Sequence, residues 1–205
     1  MRFFWLYSLI AVNALAGQPD QYQSFSDLAS HRKEGSDFTV SITEREGQPL
    51  VQAIHGGEIE PGTEELARTL AGQDWSLYVF HARVPGLHLT AHHFDDARIV
   101  QLAGRSGRCV GIHGYAEHAD HQADTCVGGA DAALRGRVAQ ALRRIGTTTE
   151  EPCRLLPGVH PRNVVNLSPR GGVQLEMSQA FRRKLGSDSK LRSRWIRALR
   201  RAVLR

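Results

Sequence analysis

No two cysteines in this chain stand at CxxC spacing, no segment repeats, no tract is of low complexity, and no apolar run is long enough to cross a bilayer. The first absence removes the usual signature of a structural zinc finger or ribbon. The second and third leave one folded unit as the simplest organisation, and 41% hydrophobic residues in a 205-residue chain suffice for a sizeable core. The fourth bears on the N-terminus, where Arg2 precedes the apolar run "FFWLYSLIAV" and then "NALAG". That run is too short for a lasting anchor. Ala14-Leu15-Ala16 has the small-x-small form of a leader cut after Ala16. A signal peptide over residues 1–16, a secreted product and no stable membrane anchor are therefore expected.

Cysteine itself is scarce. Cys109, Cys126 and Cys153 permit one disulfide and leave one thiol over, and the sequence leaves the pairing open. Acidic excess is also lacking, since the chain carries a formal +5. Removal of residues 1–16 takes away Arg2 alone, which leaves +4. Residues 187–205 hold seven Lys or Arg against one Asp, a net +6, so the rest of the mature chain carries −2. The basicity belongs to the tail, and a nucleic-acid-binding domain is not indicated.

What is present is an alternation of strand-like and helix-like segments. "FTVSITE" (38–44) alternates apolar and polar residues, and "PLVQAIH" (49–55), "WSLYVFHARV" (75–84), "RCVGIHGY" (108–115) and "GGVQLEMS" (171–178) also read as strands. Helices are expected over "PGTEELARTLAG", with Thr63 as its cap, over "DARIVQLAGR", and over "DAALRGRVAQALRRIG", which Gly146 stops. Another opens at "QAFRRKL". Strands interleaved with helices point to an α/β fold with a mixed, mostly parallel sheet flanked by helices. In the tail, Leu191, Trp195, Leu199 and Val203 share one helical stripe with arginines around it. Packing of that stripe on the domain is expected ahead of a membrane or polyanion role.

Sites in open α/β sheets form where strands end. His55 closes one strand beside Gly56 and Gly57, His113 lies near the end of another beside Gly114, and Glu176 sits on a third. Two histidines and a glutamate can fill three positions of a catalytic zinc ion and leave the fourth for water. A further carboxylate is then needed to accept the water proton. "AIHGGEIEPGTEE" supplies four candidates, Glu58, Glu60, Glu64 and Glu65. Glu64 and Glu65 fit first-turn helix carboxylates facing the helix dipole.

Six ordered blocks make the chain resemble the poly-γ-glutamate hydrolase family, distant relatives of the zinc carboxypeptidases. They are "YQSFSDLASHRKEGSDFTV", "AIHGGEIEPGTEELARTLAGQDWSLYVF", "LHLTAHHFDD", "GIHGY", "CVGGADAALRGRVAQAL" and "RNVVNLSPRGGVQLEMSQAFR". The resemblance covers about residues 22–182 and omits the tail. It implies a zinc-carboxypeptidase-like fold and one zinc ion per chain held by His55, Glu60 and His113, with Glu176 as general base. Carboxypeptidase spacing would select Glu58; relatives carry glycine there while the "IEPGT" glutamate recurs, which favours Glu60 and leaves Glu58 at the rim. Gly56 and Gly57 let the backbone fold back far enough for a ligand five residues on.

For an anionic glutamate polymer or a related amide substrate, Arg170, Arg182, Asn163, Asn166 and His93 are the expected contacts, arginine because it pairs bidentately with carboxylates. His118 and His121 read as a solvated loop. The whole describes a secreted, monomeric zinc-dependent hydrolase of γ-glutamyl amide bonds, organised as residues 17–186 followed by a basic amphipathic helix over 187–205. A zinc peptidase or amidase on another secreted or cell-wall substrate is the alternative enzyme. A non-catalytic secreted polyanion-binding protein of the same fold is the alternative of another class.

Overall fold

The structure, a computed structural model, describes residues 20–116 and 123–205. The expected leader and the pair His118 and His121 lie outside the described residues. Seven strands form one sheet in the order β1-β3-β2-β4-β7-β5-β6. They are β1 (Phe38–Thr43), β2 (Leu50–Gly57), β3 (Ser76–Ala82), β4 (Cys109–Tyr115), β5 (Thr125–Gly128), β6 (Thr149–Glu150) and β7 (Gly172–Ser178). The β3-β2-β4-β7 centre is parallel, while β1 and β5 pair antiparallel with β3 and β7. The sheet is thus mixed and mostly parallel, as the alternation of segments predicts.

Helices cover both faces. They are α1 (Phe25–His31), α2 (Thr63–Ala71), α3 (Ala97–Arg105), α4 (Ala132–Arg144), α5 (Gln179–Ser187) and α6 (Ser189–Leu204), with a short 3-10 helix at Val164–Leu167. Strand alternation decides which residues each face receives. Val173, Leu175 and Met177 of β7 enter a core with α2, α4, α5 and α6. Gln174, Glu176 and Ser178, the intervening positions, are also buried but point to the other side. Over that side Phe25, Phe38, Phe80 and Phe94 build a second core with α1 and α3.

Three local features depart from the sequence reading. Thr63 does not cap α2. Gly62 occupies the cap position at φ 94° with no side-chain bond, and the Thr63 hydroxyl donates to the Glu60 carbonyl at 2.8 Å. Strands β5 and β6, four and two residues long, are too short to show alternation. Helix α1 also had no counterpart in the sequence reading; Ser24 caps it through the Asp27 amide. Cys126 and Cys153 form the disulfide, and Cys109 is free and buried, its thiol pushed up to about 12 by burial.

The tail packs as the sequence predicts. Leu191, Trp195, Leu199, Ala202 and Val203 of α6 belong to the same core as Val51 of β2 and Val138 of α4. Trp195 is fully buried. Trp195→Ala should therefore cost about 3–5 kcal/mol of stability; chemical denaturation of the two proteins measures it, and a loss near zero would mean that α6 does not complete the core.

Candidate metal and catalytic site

The site forms at the C-terminal ends of β2, β4 and β7, the neighbouring parallel strands at the middle of the sheet. His113 and Glu176 are register partners across β4 and β7. Two residues bonded side by side in a parallel ladder turn their side chains to the same face. His55 comes from β2, whose register with β3 shifts between Ala53 and Gly56; such an irregularity re-aims a side chain beside a site. Past it the chain reverses. Gly57 holds φ 66° where a Cβ would collide with the Ala82 carbonyl, and the Glu60 amide donates back to the His55 carbonyl at 2.9 Å. That reversal brings Glu60 home.

The donor atoms converge. His55 Nδ1 is 2.7 Å from Glu60 Oε1 and 3.2 Å from His113 Nδ1, and His113 Nδ1 is 3.8 Å from Glu60 Oε2. The Gly114 amide donates to Glu60 Oε2 at 2.8 Å. His55 Nε2 donates to the Leu89 carbonyl at 2.8 Å, which leaves Nδ1 to face the carboxylate and the second imidazole. Two ring nitrogens in such proximity need a proton or a cation between them. Their separation also suits a tetrahedral zinc ion, for which Zn–N bonds of about 2.0–2.1 Å put neighbouring ligand atoms roughly 3.3 Å apart. A backbone carbonyl fixing the far nitrogen of a histidine is the usual outer support of such a ligand. The donor set therefore fits zinc. Glu58, the carboxylate at carboxypeptidase spacing, is exposed.

Charge is distributed unevenly among the buried His55, His113 and Glu176 and the part-buried Glu60. Burial drives His113 down to about 3, with Glu60 opposing, so its imidazole is neutral. Burial works against charge on His55 as well, but Glu60 outweighs it and holds the pKa above the usual histidine value. Glu60 is held below the usual carboxylate range, because His55, His113 and the Gly114 amide outweigh its burial. Glu176 goes the other way. Burial and the neighbouring Glu60 charge push it up to about 8 among the protein charges alone.

Glu176 is held from below. Gln174, two residues earlier on the same face, donates through Nε2 to Glu176 Oε1 at 2.8 Å. Asn163 donates to Gln174 Oε1 at 2.8 Å and to the Gly158 carbonyl at 3.2 Å, and accepts from the Val165 amide. Asn163 thus orients the amide that orients the carboxylate. Cys126 is the register partner of Glu176 on the β5 side, so the disulfide anchors the strand edge against this position.

The other expected contacts are placed differently. Arg170 does not join the site. It is exposed in the turn before β7, and Gly172 to Glu176 alone spans about 13 Å of strand; nearness in sequence to Glu176 puts it toward the opposite end of the sheet. Asn166 ties loops together through the Gly158 and His160 carbonyls and the Ala130 amide. Arg182 is buried and donates to the Pro61, Tyr115 and Met177 carbonyls, so it braces the Glu60 turn against β4 and β7. A Cβ at Gly114 would collide with its guanidinium. His93 donates through Nδ1 to the Asp20 carboxylate at 2.8 Å.

Asp20 also meets His88 at 3.0 Å and the Thr90 amide at 2.9 Å. Its pKa is lowered: those partners outweigh its partial burial. His88 is the site residue that sequence reasoning missed. Its ring lies tilted by 33° against that of His55 with centroids 4.5 Å apart, and one ligand atom each of His55, Glu60 and His88 lie within 4.8 Å of one another. His88 and His113 are thus rival third donors to a metal. His113 has the shorter approach to His55, while Asp20 on the Nδ1 of His88 leaves its Nε2 as the donor it could offer. The sequence signal for His88 is its place in "LHLTAHHFDD", the block that also holds His93, five residues on.

Comparison with known proteins follows this geometry. A family profile described as poly-gamma-glutamate hydrolase matches residues 22–201, so the likeness runs past Arg182 and takes in most of α6. YndL of Bacillus subtilis (strain 168) is 37% identical over 189 residues, covering 86% of this chain and 71% of YndL. The structure of a bacteriophage poly-gamma-glutamate hydrolase superposes with a TM-score of 0.82 at 27% identity, over 89% of this chain and 96% of that one. The zinc-free form of YndL gives a TM-score of 0.78 at 30% identity, over 88% and 96%.

The Glu176 environment has a measurable consequence. Its pKa of about 8 lies above the ordinary 4.5, so the folded state binds this proton more tightly than the unfolded state. The resulting stability is complete below about pH 4.5 and is lost as pH rises to about 8. Chelator-treated protein should lose stability across that window in urea unfolding. Glu176→Gln, which has no proton to lose there, should flatten the dependence; an unchanged slope would mean that Glu176 ionises normally.

Proposed function

The chain belongs to the poly-gamma-glutamate hydrolase family, and from that premise we propose that it is a secreted zinc-dependent hydrolase of γ-glutamyl amide bonds in an anionic glutamate polymer. The observation that carries the reading is the convergence of His55, Glu60, His113 and Glu176 at three parallel strand ends. His55, Glu60 and His113 would hold the ion, with His88 tilted against His55. The zinc-free form of the relative YndL supports that identity for the metal. When bound, zinc supplies a Lewis acid for the amide carbonyl and lowers the pKa of water to near 7.

The protein's own groups do the rest. Glu176 accepts a proton from the attacking water as the C–O bond forms, and returns it to the nitrogen as the C–N bond breaks. A base must be ionised, and Glu176 holds its proton at neutral pH while protein charges alone surround it. Positive charge between His55, Glu60 and His113 favours loss of that proton. Gln174 and Asn163 keep the carboxylate aimed throughout. Secretion is supported by the leader pattern before residue 17 and by the Cys126–Cys153 disulfide, which persists in oxidising compartments.

Glu176→Gln should keep stoichiometric zinc and lose about 10²–10⁴-fold in hydrolysis of poly-γ-glutamate. His55→Ala and His113→Ala should lose the metal. A wild-type protein that binds no zinc, or a Glu176→Gln protein as active as wild type, ends this reading. Gln174→Leu should retain zinc while activity falls about 10–100-fold, the usual effect of removing an outer support; zinc analysis beside the rate separates that outcome from collapse of the site.

A further inference from the structure

Helix α6 carries two kinds of cation. Arg192 donates to the Leu185 and Gly186 carbonyls, and Arg200 to the Leu70 and Ala71 carbonyls and to Asp74. These two fasten the helix to the fold. Lys190, Arg194, Arg197 and Arg201 are all exposed and form no ion pair among the described residues. Their spacing of four, three and four residues puts them on one face. They line up as a row.

The fold does not account for that row. Like charges at these spacings repel along a helix. The helix dipole favours cations in the last turn, which suits Arg201, but it disfavours Lys190 in the first. From residue 179 onward the chain has ten Lys or Arg against one Asp, a net +9, so of the overall +5 the preceding residues carry −4. A surface groove of about 650 Å³ runs beside the row, lined by Ser189, Lys190, Ser193, Arg194 and Arg197 together with one acid, Asp188, whose carboxylate accepts from the Lys190 and Leu191 amides. A second, of about 350 Å³, is lined by Arg192, Arg182 and the acid Glu65 and reaches Gly62, two residues beyond Glu60. Both draw on residues of the N-terminal half of α6.

We propose that the Lys190–Arg194–Arg197–Arg201 row is an anchoring site for the anionic glutamate polymer outside the catalytic centre, holding one stretch of chain while another is cut. The proposal rests on the substrate reading above. The chemistry favours this occupant over others. A membrane-binding amphipathic helix needs a free apolar face, and here Leu191, Trp195, Leu199 and Val203 are buried in the core. Single-stranded nucleic acid is held by stacking on aromatic rings, and the one aromatic residue of α6, Trp195, is fully buried. What remains is charge alone in a regular row, which a flexible polymer with a carboxylate on every unit can follow.

Binding is best read in the Glu176→Gln background, where turnover does not interfere. Labelled long poly-γ-glutamate should bind that protein with an affinity that falls steeply between about 50 and 200 mM salt. Adding Arg194→Gln, Arg197→Gln and Arg201→Gln should weaken binding at least about tenfold and flatten the salt dependence. In the otherwise wild-type enzyme the same triple change should raise KM for long polymer and leave kcat/KM for a short γ-glutamyl oligomer within about twofold, because an oligomer confined to the catalytic centre does not reach α6. Undiminished polymer binding by the triple variant overturns the proposal, as does equal loss on oligomer and polymer. Tighter binding to phosphatidylserine vesicles or to DNA than to the polymer also overturns it. If wild type cleaves neither substrate yet the row still governs polymer binding, the hydrolase reading fails and the anchoring site stands.

Discussion

A carboxylate withdrawn from most of its water with no counter-charge is among the most expensive things a protein can fold around, and the part-buried Glu60 is such a group unless its neighbours are in place. It sits against His55 and His113 and takes the Gly114 amide. The partners come from two strands, His55 from β2 and His113 and Gly114 from β4, so β2, its reversal and β4 must all be correctly registered before the charge is compensated. Gly57 and Gly62 permit the reversal by adopting positive φ. Arg182 then locks it by bonding the Pro61 carbonyl on one side and strand carbonyls on the other. The turn, the brace and the two strand ends thus follow from the placement of one side chain.

Glu176 shows the complementary strategy. Its environment raises its proton affinity instead of stabilising its charge, although it lies on a strand adjoining the same cluster. Two carboxylates whose surroundings push them apart are the usual mark of an assigned division of labour between acid-base and electrostatic roles. The Gln174 amide meets Glu176 and is itself held by the Asn163 amide. Because Gln174 and Glu176 are alternate residues of one strand, whatever fixes the strand fixes both.

Much of this was legible before any coordinates. Alternation in "GGVQLEMS" and the glycines after His55 locate the strands and their ends, because burial on a pleated sheet imposes a period of two. The choice of Glu60 over Glu58 as the inward carboxylate came from resemblance, and it agrees with which of the two reaches His55. What escaped were contacts between distant segments. Asp20 meets His88 and His93 across 68 and 73 residues, and no local pattern announces such a pairing. Asn163 reads as a substrate contact until its amide is seen to orient Gln174. Arg170 shows the converse: it is six residues from Glu176 in sequence, yet most of β7 runs between them.

The contribution of α6 to the core bears on the order of assembly. Trp195, Leu199 and Val203 share a core with Val51, Leu66 and Val138, so residues more than a hundred positions apart close one interior. Contacts of such long range make for slow folding, since the loop entropy is lost before the contact is gained. Until residue 203 is free to dock, that interior has an open wall. Helix α6 is in that sense the latch of the interior: the inner faces of β2 and α4 stay uncovered until it closes on them.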